Sequence, residues 1–197
     1  LYDRDNSARA KRFIGNAQLN YKVHGFEDLS LNLNLGLDWS KSDGTVDVAP
    51  GTEMSFHNTQ ESGSGYHNNY SQIRRDQTLE FYAQYDKTLS KHTFNAMAGY
   101  SWQHFYNSTF NEKYKADGTL PTASDYYLSS PNTFRTEYFL VSFFGRVNYS
   151  FNDRLLVTAT LRDDGTSRFA NNKWGLFPSV AVSYNFGKER FIADSGV

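Results

Sequence analysis

The chain is 197 residues long and carries 20 basic against 21 acidic residues, a formal charge of -1 that makes no electrostatic case for a nucleic-acid partner. It has no cysteine, which rules out a disulfide framework or a thiolate metal site, and no run approaching the roughly 18 apolar residues of a membrane helix. Aromatic residues make up 17 % of a chain otherwise rich in Asn and Ser and of negative mean hydropathy, a mix that suits short alternating segments better than membrane-spanning helices.

Residues 1–11 are polar and read as the descending arm of a loop. From Phe13 the pattern has period two: Phe13, Gly15, Ala17, Leu19, Tyr21 and Val23 on one face, Asn16, Gln18, Asn20 and Lys22 on the other. After a short connector at 24–28, a second strand sets Leu29, Leu31, Leu33, Leu35, Leu37 and Trp39 against Ser30, Asn32, Asn34, Gly36, Asp38 and Ser40. Lys41 to about Asp76 loses periodicity and reads as a loop far longer than a compact domain uses. A third strand sets Leu79, Phe81, Ala83 and Tyr85 against Glu80, Tyr82, Gln84 and Asp86. A turn near Ser90-Lys91 leads to a fourth, with Phe94, Ala96, Ala98, Tyr100 and Trp102 on its apolar side, and then to a second long loop from Asn107 to about Phe134. The fifth strand carries Phe139, Val141, Phe143, Gly145, Val147, Tyr149 and Phe151 on one side. After a tight turn at Asn152-Asp153 come a sixth (Leu155, Val157, Ala159, Leu161) and a seventh (Val180, Val182, Tyr184, Phe186). No helix is expected beyond a short turn near Lys188 to Ile192.

Alternation alone also fits a soluble β-sandwich. Three further features favour a membrane barrel. Connections alternate between short and long, as periplasmic turns and outer loops do. The apolar segments run about ten to twelve residues, close to the roughly nine to eleven that a tilted strand needs to cross a bilayer. The strand charges Lys22, Asp38, Glu80, Asp86, Arg146 and Arg162 keep to the face opposite the apolar stripe, while Lys87, Arg135 and Glu137 lie on the apolar parity at strand ends. Tyr21, Trp39, Tyr85, Trp102 and Tyr149 sit near strand ends, where amphipathic rings suit a membrane interface. The fold class is therefore all-β: an antiparallel transmembrane β-barrel fragment of about seven long meander strands. Seven strands do not close such a barrel, so the chain reads as a piece of something larger.

The connection between the sixth and seventh strands is distinctive. It holds Arg162, Asp164, Gly165, Ser167, Arg168, Phe169, Trp174, Gly175, Phe177, Pro178 and Ser179, with a turn expected to need positive φ at Asp164-Gly165. This run resembles a motif of the SusC-like (SusC/RagA family) TonB-dependent outer-membrane transporters, with Thr166 in place of a usual Ser. Gly99-Tyr100-Ser101-Trp102-Gln103 and Leu35-Gly36-Leu37-Asp38-Trp39-Ser40 are similar to strands of the same family. The resemblance implies that residues 1–197 are part of a barrel domain of about 22 strands, with the plug domain and the remaining strands absent. It further implies a bacterial outer-membrane location, a SusD-like surface lipoprotein as partner, energy from the TonB system through the missing N-terminal part, and import of glycans or peptides.

No catalytic constellation stands out, and neither a metal nor a cofactor is expected. The five histidines show no metal-ligand spacing, and Asp163-Asp164 reads as a turn rather than a cation site. Arg162 and Arg168 beside Asp163 and Asp164 read as a structural tie at the barrel rim. The loop aromatics Phe56, Tyr66, Tyr70, Tyr126 and Tyr127 are the candidates for stacking on sugar rings or peptide side chains, with loop anchoring as their other role. The leading function is a non-enzymatic nutrient importer in contact with outer-membrane lipid. The alternatives are a soluble β-sandwich carbohydrate-binding module and a passive porin.

Overall fold

The computed structural model describes residues 4–58, 63, 65–115, 119 and 132–188. Seven strands follow in chain order: β1 (Arg4–Lys22), β2 (Leu29–Val48), β3 (Tyr66–Leu89), β4 (His92–Lys115), β5 (Asn132–Phe151), β6 (Leu155–Thr166) and β7 (Trp174–Tyr184). They form one sheet in the order β1-β2-β3-β4-β5-β6-β7, so every strand lies beside its sequence neighbours. Contacts group the chain into two units. One comprises 1–15, 37–76 and 105–137, the strand ends at the first two long connections. The other comprises 16–36, 77–104 and 138–197, which holds the short turns.

The short turns have the local chemistry a hairpin needs. Asn152 and Asp153 both take φ of 52°, the paired left-handed conformation that matches strand twist, and the Arg154 N–H donates to the Phe151 carbonyl at 3.0 Å. Gly25 at φ 81° and Ser90 at φ 55° serve the other two turns. Two long connections are shorter than expected, residues 49–65 instead of 41–76 and residues 167–173 instead of 163–176, while residues 116–131 between β4 and β5 lie outside the described residues except for Thr119.

Register turns period two into two chemically distinct faces. Across β5, β6 and β7 the rows Phe151–Leu155–Tyr184, Tyr149–Val157–Val182 and Val147–Ala159–Val180 make one face. The rows Asn148–Thr158–Ala181 and Arg146–Thr160–Ser179 make the other. A one-residue slip would exchange the two faces entirely. Gly99 stands where two strands close tightly, since a Cβ there would lie 2.6 Å from both the Phe144 ring and the Tyr82 Cβ.

Several sequence expectations are corrected. Residues 4–12 belong to β1 rather than to a loop, and Lys41–Val48, Tyr66–Asp76, Asn107–Lys115 and Asn132–Phe134 are strand. β3 and β4 reach 24 residues each, more than twice the roughly nine to eleven needed for one bilayer crossing. Where both faces of a strand are wet, alternation disappears from the sequence although the ladder of backbone hydrogen bonds continues. The extensions also place Lys11, Lys41, Asp43 and Arg75 on the apolar parity. Asp163, opposite Phe143, joins them, so the charge segregation holds strictly only in the middle of the strands. A six-residue helix, α1 (Glu53–Asn58), occupies the first long connection. Its first turn is tied by the Ser55 hydroxyl donating to the Thr52 carbonyl at 2.7 Å, and it is too short to show a helical period. A 3-10 turn at Phe186–Lys188 follows β7, while residues 189–192 lie outside the described residues. Pro178 sits within β7, opposite Leu161 on the apolar face.

Candidate functional site

The polar face carries a hydrogen-bonded side-chain network that runs from strand to strand. Thr158 donates to Asn148 at 2.8 Å, Asn148 donates to Asn95 at 3.0 Å, and Asn95 donates to Asp86, which also accepts from Gln84 at 2.7 Å. The network thus links β6, β5, β4 and β3. Nearer β1, Asn20 donates to Asn32 and Asn34 to Glu80 at 3.1 Å. In the other unit Arg12 grips both oxygens of Asp38, at 2.9 and 2.5 Å, and Arg74 pairs with Asp76 at 2.7 Å. Asn32, Asn68, Ser101 and Ser142 are buried on this same parity. Such a face satisfies most of its own polar groups, Asn68 Oδ1 excepted, and still offers donors and acceptors to whatever passes it.

The connection between β6 and β7 is built on that face. Arg162 Nε donates to Asp164 at 2.7 Å and its Nη2 to the Ser142 hydroxyl at 3.0 Å, so one guanidinium ties β6 to β5. Phe139 N–H donates to Ser167 Oγ at 2.8 Å while Ser167 N–H donates to the Phe139 carbonyl at 3.0 Å, clamping the loop to β5. The Arg168 guanidinium lies 3.6 Å from the centre of the Tyr138 ring, a cation–π contact in place of a pairing with Asp163 or Asp164. Gly165 does not take positive φ; Asn172 does, at 52°. Gly165 instead lets the Trp174 ring lie flat against the strand, since a Cβ would come within 3.0 Å of it. Gly175 sits opposite Asp164, Phe177 opposite Arg162 and Pro178 opposite Leu161. Phe169 and Trp174 are exposed, and both line a cavity of about 330 Å³ with Arg162, Asp164 and Phe177.

The loop aromatics take different places. Tyr66 is buried with Val46 and Val48, and Tyr70 packs against that cluster beside Met54. The Tyr70 ring also covers Gly44 so closely that no side chain would fit there. Lys113 Nζ stands 5.6 Å from the Tyr66 ring. Phe56 on α1 is exposed, with its ring over Gly63. Tyr126 and Tyr127 lie outside the described residues. Asn68 Oδ1, between Tyr66 and Tyr70 in sequence, has no hydrogen-bond partner among the described residues.

A polar cluster in the same unit was not anticipated. His67 Nδ1 bonds Asp47 and its Nε2 lies 3.0 Å from Asn69 Oδ1. The hydrogen bond to Asp47, then its charge and the contact with Asn69, raise the His67 pKa above the ordinary 6.5 against the opposing effect of burial. Hydrogen bonding from Ser71, then from Lys41, holds the Asp43 carboxyl below its usual value. Sequence reading missed the cluster because Asp47 and His67 both lie in a stretch without periodicity. Among the described residues no group of three or more His, Asp or Glu converges as a metal site would.

Residues 1–192 match the family described as TonB dependent receptor-like, beta-barrel. The chain belongs to this family. Among its relatives is the TonB-dependent receptor SusC of Bacteroides thetaiotaomicron, 34 % identical over 195 residues, which are 98 % of this chain and 19 % of that protein. TonB-dependent receptor P3 of Formosa agariphila is 35 % identical over 128 residues, 59 % of this chain and 12 % of that protein. The fold matches the RagAB peptide transporter at a TM-score of 0.80 and 20 % identity, covering 96 % of this chain and 21 % of that one. The RagAB peptide importer in its open-open state matches equally, with a TM-score of 0.80 at 21 % identity. This segment of a TonB-dependent receptor barrel thus spans about a fifth of the length of SusC and of the RagAB chain it matches.

Outer-membrane location gives the two faces their meaning: the apolar one meets lipid and the polar one the lumen. Aromatic rings gather on the lipid side near the short turns, where His92 stacks on Tyr149 at 6.0 Å, Phe94 meets Tyr149 tilted at 5.0 Å and Phe26 stacks on Tyr85 at 5.7 Å. A second group toward the other end of the strands joins Tyr100, Phe143 and Trp174, and His104 lies flat on Phe139 at 4.3 Å. Such groups fit the two interfacial belts expected of a membrane barrel.

Proposed function

We propose that residues 1–197 form part of the barrel wall of a SusC/RagA-type nutrient importer that binds a glycan or peptide outside the cell and passes it across the outer membrane without making or breaking bonds. The observation that carries this reading is the segregation of the two faces. The Thr158–Asn148–Asn95–Asp86 network faces a wet interior, while Val147, Ala159 and Val180 face hydrocarbon. In this reading the rest of the polypeptide supplies the plug, the remaining strands and the coupling to the TonB system, and a SusD-like lipoprotein covers the outer opening. Phe56, Tyr126 and Tyr127 contribute flat amphipathic area to the solute path, a role supported by the exposure of Phe56 on α1, while Tyr66 and Tyr70, packed with Val46 and Val48, take the anchoring role. The named activity of the RagAB relatives makes peptides one solute class to test.

The test is uptake by cells carrying the full-length transporter, with labelled oligosaccharides and peptides supplied separately. Alanine at both Tyr126 and Tyr127 is expected to lower uptake of one class while surface expression is unchanged. Unchanged uptake of both classes would remove these two residues from the path, and failure of the unaltered transporter to move either would overturn the importer reading.

A further inference from the structure

On the lipid-facing parity, each of three strands places a distinctive side chain four residues from a large apolar one. These are Arg75 on β3 before Leu79, Tyr106 on β4 after Trp102, and Arg135 on β5 before Phe139. Within their unit the three converge: the Arg75 guanidinium lies 5.3 Å and the Arg135 guanidinium 4.9 Å from the centre of the Tyr106 ring. Both arginines are exposed. Arg135 has a carboxylate partner, Glu137 at 2.8 Å, whereas Arg75 has none among the described residues.

Two guanidiniums held against one aromatic ring repel each other; Glu137 offsets part of that repulsion at Arg135, and an anion near Arg75 would offset more of it. We propose that Arg75, Tyr106 and Arg135 hold the phosphate of a lipid headgroup in the outer leaflet. A guanidinium that meets a ring still presents N–H donors at its edges, and those donors match phosphate oxygens two at a time. The neighbouring strands extend the same character. Lys41 lies two residues past Trp39 on β2, and Lys11 acts electrostatically on the Asp43 that pairs with Lys41 at 3.4 Å. Lys11, Lys41, Arg75 and Arg135 share this parity with Asp43 and Glu137, a mixed but cation-bearing strand end of the kind that phosphorylated headgroups meet. The side chains point away from the lumen, so a solute in transit does not meet them. The inference rests on family membership and strand parity, not on which solute is imported.

The experiment uses the full-length transporter in phosphatidylcholine nanodiscs doped with lipid A, with retained lipid counted by native mass spectrometry. The pair Arg75→Gln and Arg135→Gln is expected to weaken lipid A retention roughly tenfold and leave phosphatidylcholine retention unchanged. Arg74→Gln, one residue away on the lumenal face, is the charge control for lipid binding alone and is expected to retain lipid A as the unaltered protein does. The pair Arg75→Lys and Arg135→Lys keeps the charge without the fork and is expected to fall between. Equal lipid A retention by the unaltered and Gln-pair proteins overturns the proposal, as does an equal loss for both lipids or for Arg74→Gln. Displacement of lipid A by millimolar inorganic phosphate also overturns it, assigning the site to a free anion. If the Gln pair fails to assemble, the Lys pair decides, and unchanged lipid A retention by it sinks the fork.

Discussion

Individual side chains here owe their environment to the parity they occupy and to their distance from the membrane. His67 lies beyond the lipid-crossing part of β3, and its pKa is raised chiefly by the hydrogen bond to Asp47. A histidine whose folded pKa exceeds its unfolded value adds stability that is fully present below about pH 6.5 and is lost as pH rises through the raised value. Hydrogen exchange of peptides covering residues 45–48 and 66–70 in the full-length transporter is therefore expected to be slower at pH 5.5 than at pH 8.5, after correction for intrinsic rates. Asp47→Asn is expected to abolish the difference. Exchange that ignores pH in the unaltered protein would show that the pair does not hold these strand ends. Gly165 shows how residue chemistry was misread: Asp-Gly suggested a turn, but the glycine clears space for Trp174 and the left-handed residue is Asn172.

At the scale of the strand, period two is enforced by unlike solvents on the two faces. Ala159 lies between Val147 and Val180 on the lipid side, and the next residue, Thr160, shares a hydrogen bond of 2.6 Å with Ser179 on the lumenal side. Ala159→Arg is expected to cost about 2–4 kcal/mol if that row lies near mid-depth, whereas Thr160→Arg is expected to cost about 1 kcal/mol or less. The comparison is read as the shift in denaturant midpoint of the full-length barrel folded into lipid vesicles. Equal costs at the two neighbours would mean that the faces are not bathed by different solvents. The same physics explains why the extensions of β2 to Val48 and of β3 from Tyr66 escaped detection: with water on both sides, residue choice is released from alternation.

Taken whole, these residues cannot hide their apolar surface from water by folding on themselves. Phe143, Leu161, Val180 and Val182 are each at least half exposed, the last two by 73 % and 66 %, and all lie on one face. A contiguous patch of this kind exceeds what a soluble monomer tolerates. Residues 1–197 produced alone are expected to aggregate in plain buffer and to become monodisperse only in detergent, as judged by size exclusion with light scattering. A monodisperse body in plain buffer would restore the β-sandwich alternative. The fold match to the RagAB structures and the family match over residues 1–192 both weigh against that outcome.

What the amino-acid order settled unaided was the part written by membrane and lumen: seven strands, their short turns, the faces, and a family signature in Arg162 to Ser179. Those features are local, because a side chain two residues away already reports which solvent a face meets. Only the folded chain decided where each strand stops, which hydrogen bonds join β3 to β6, and how Arg75 and Arg135 come to share Tyr106. Those outcomes depend on register between segments tens of residues apart, and register is set by pairing across the whole sheet rather than by any one stretch of sequence.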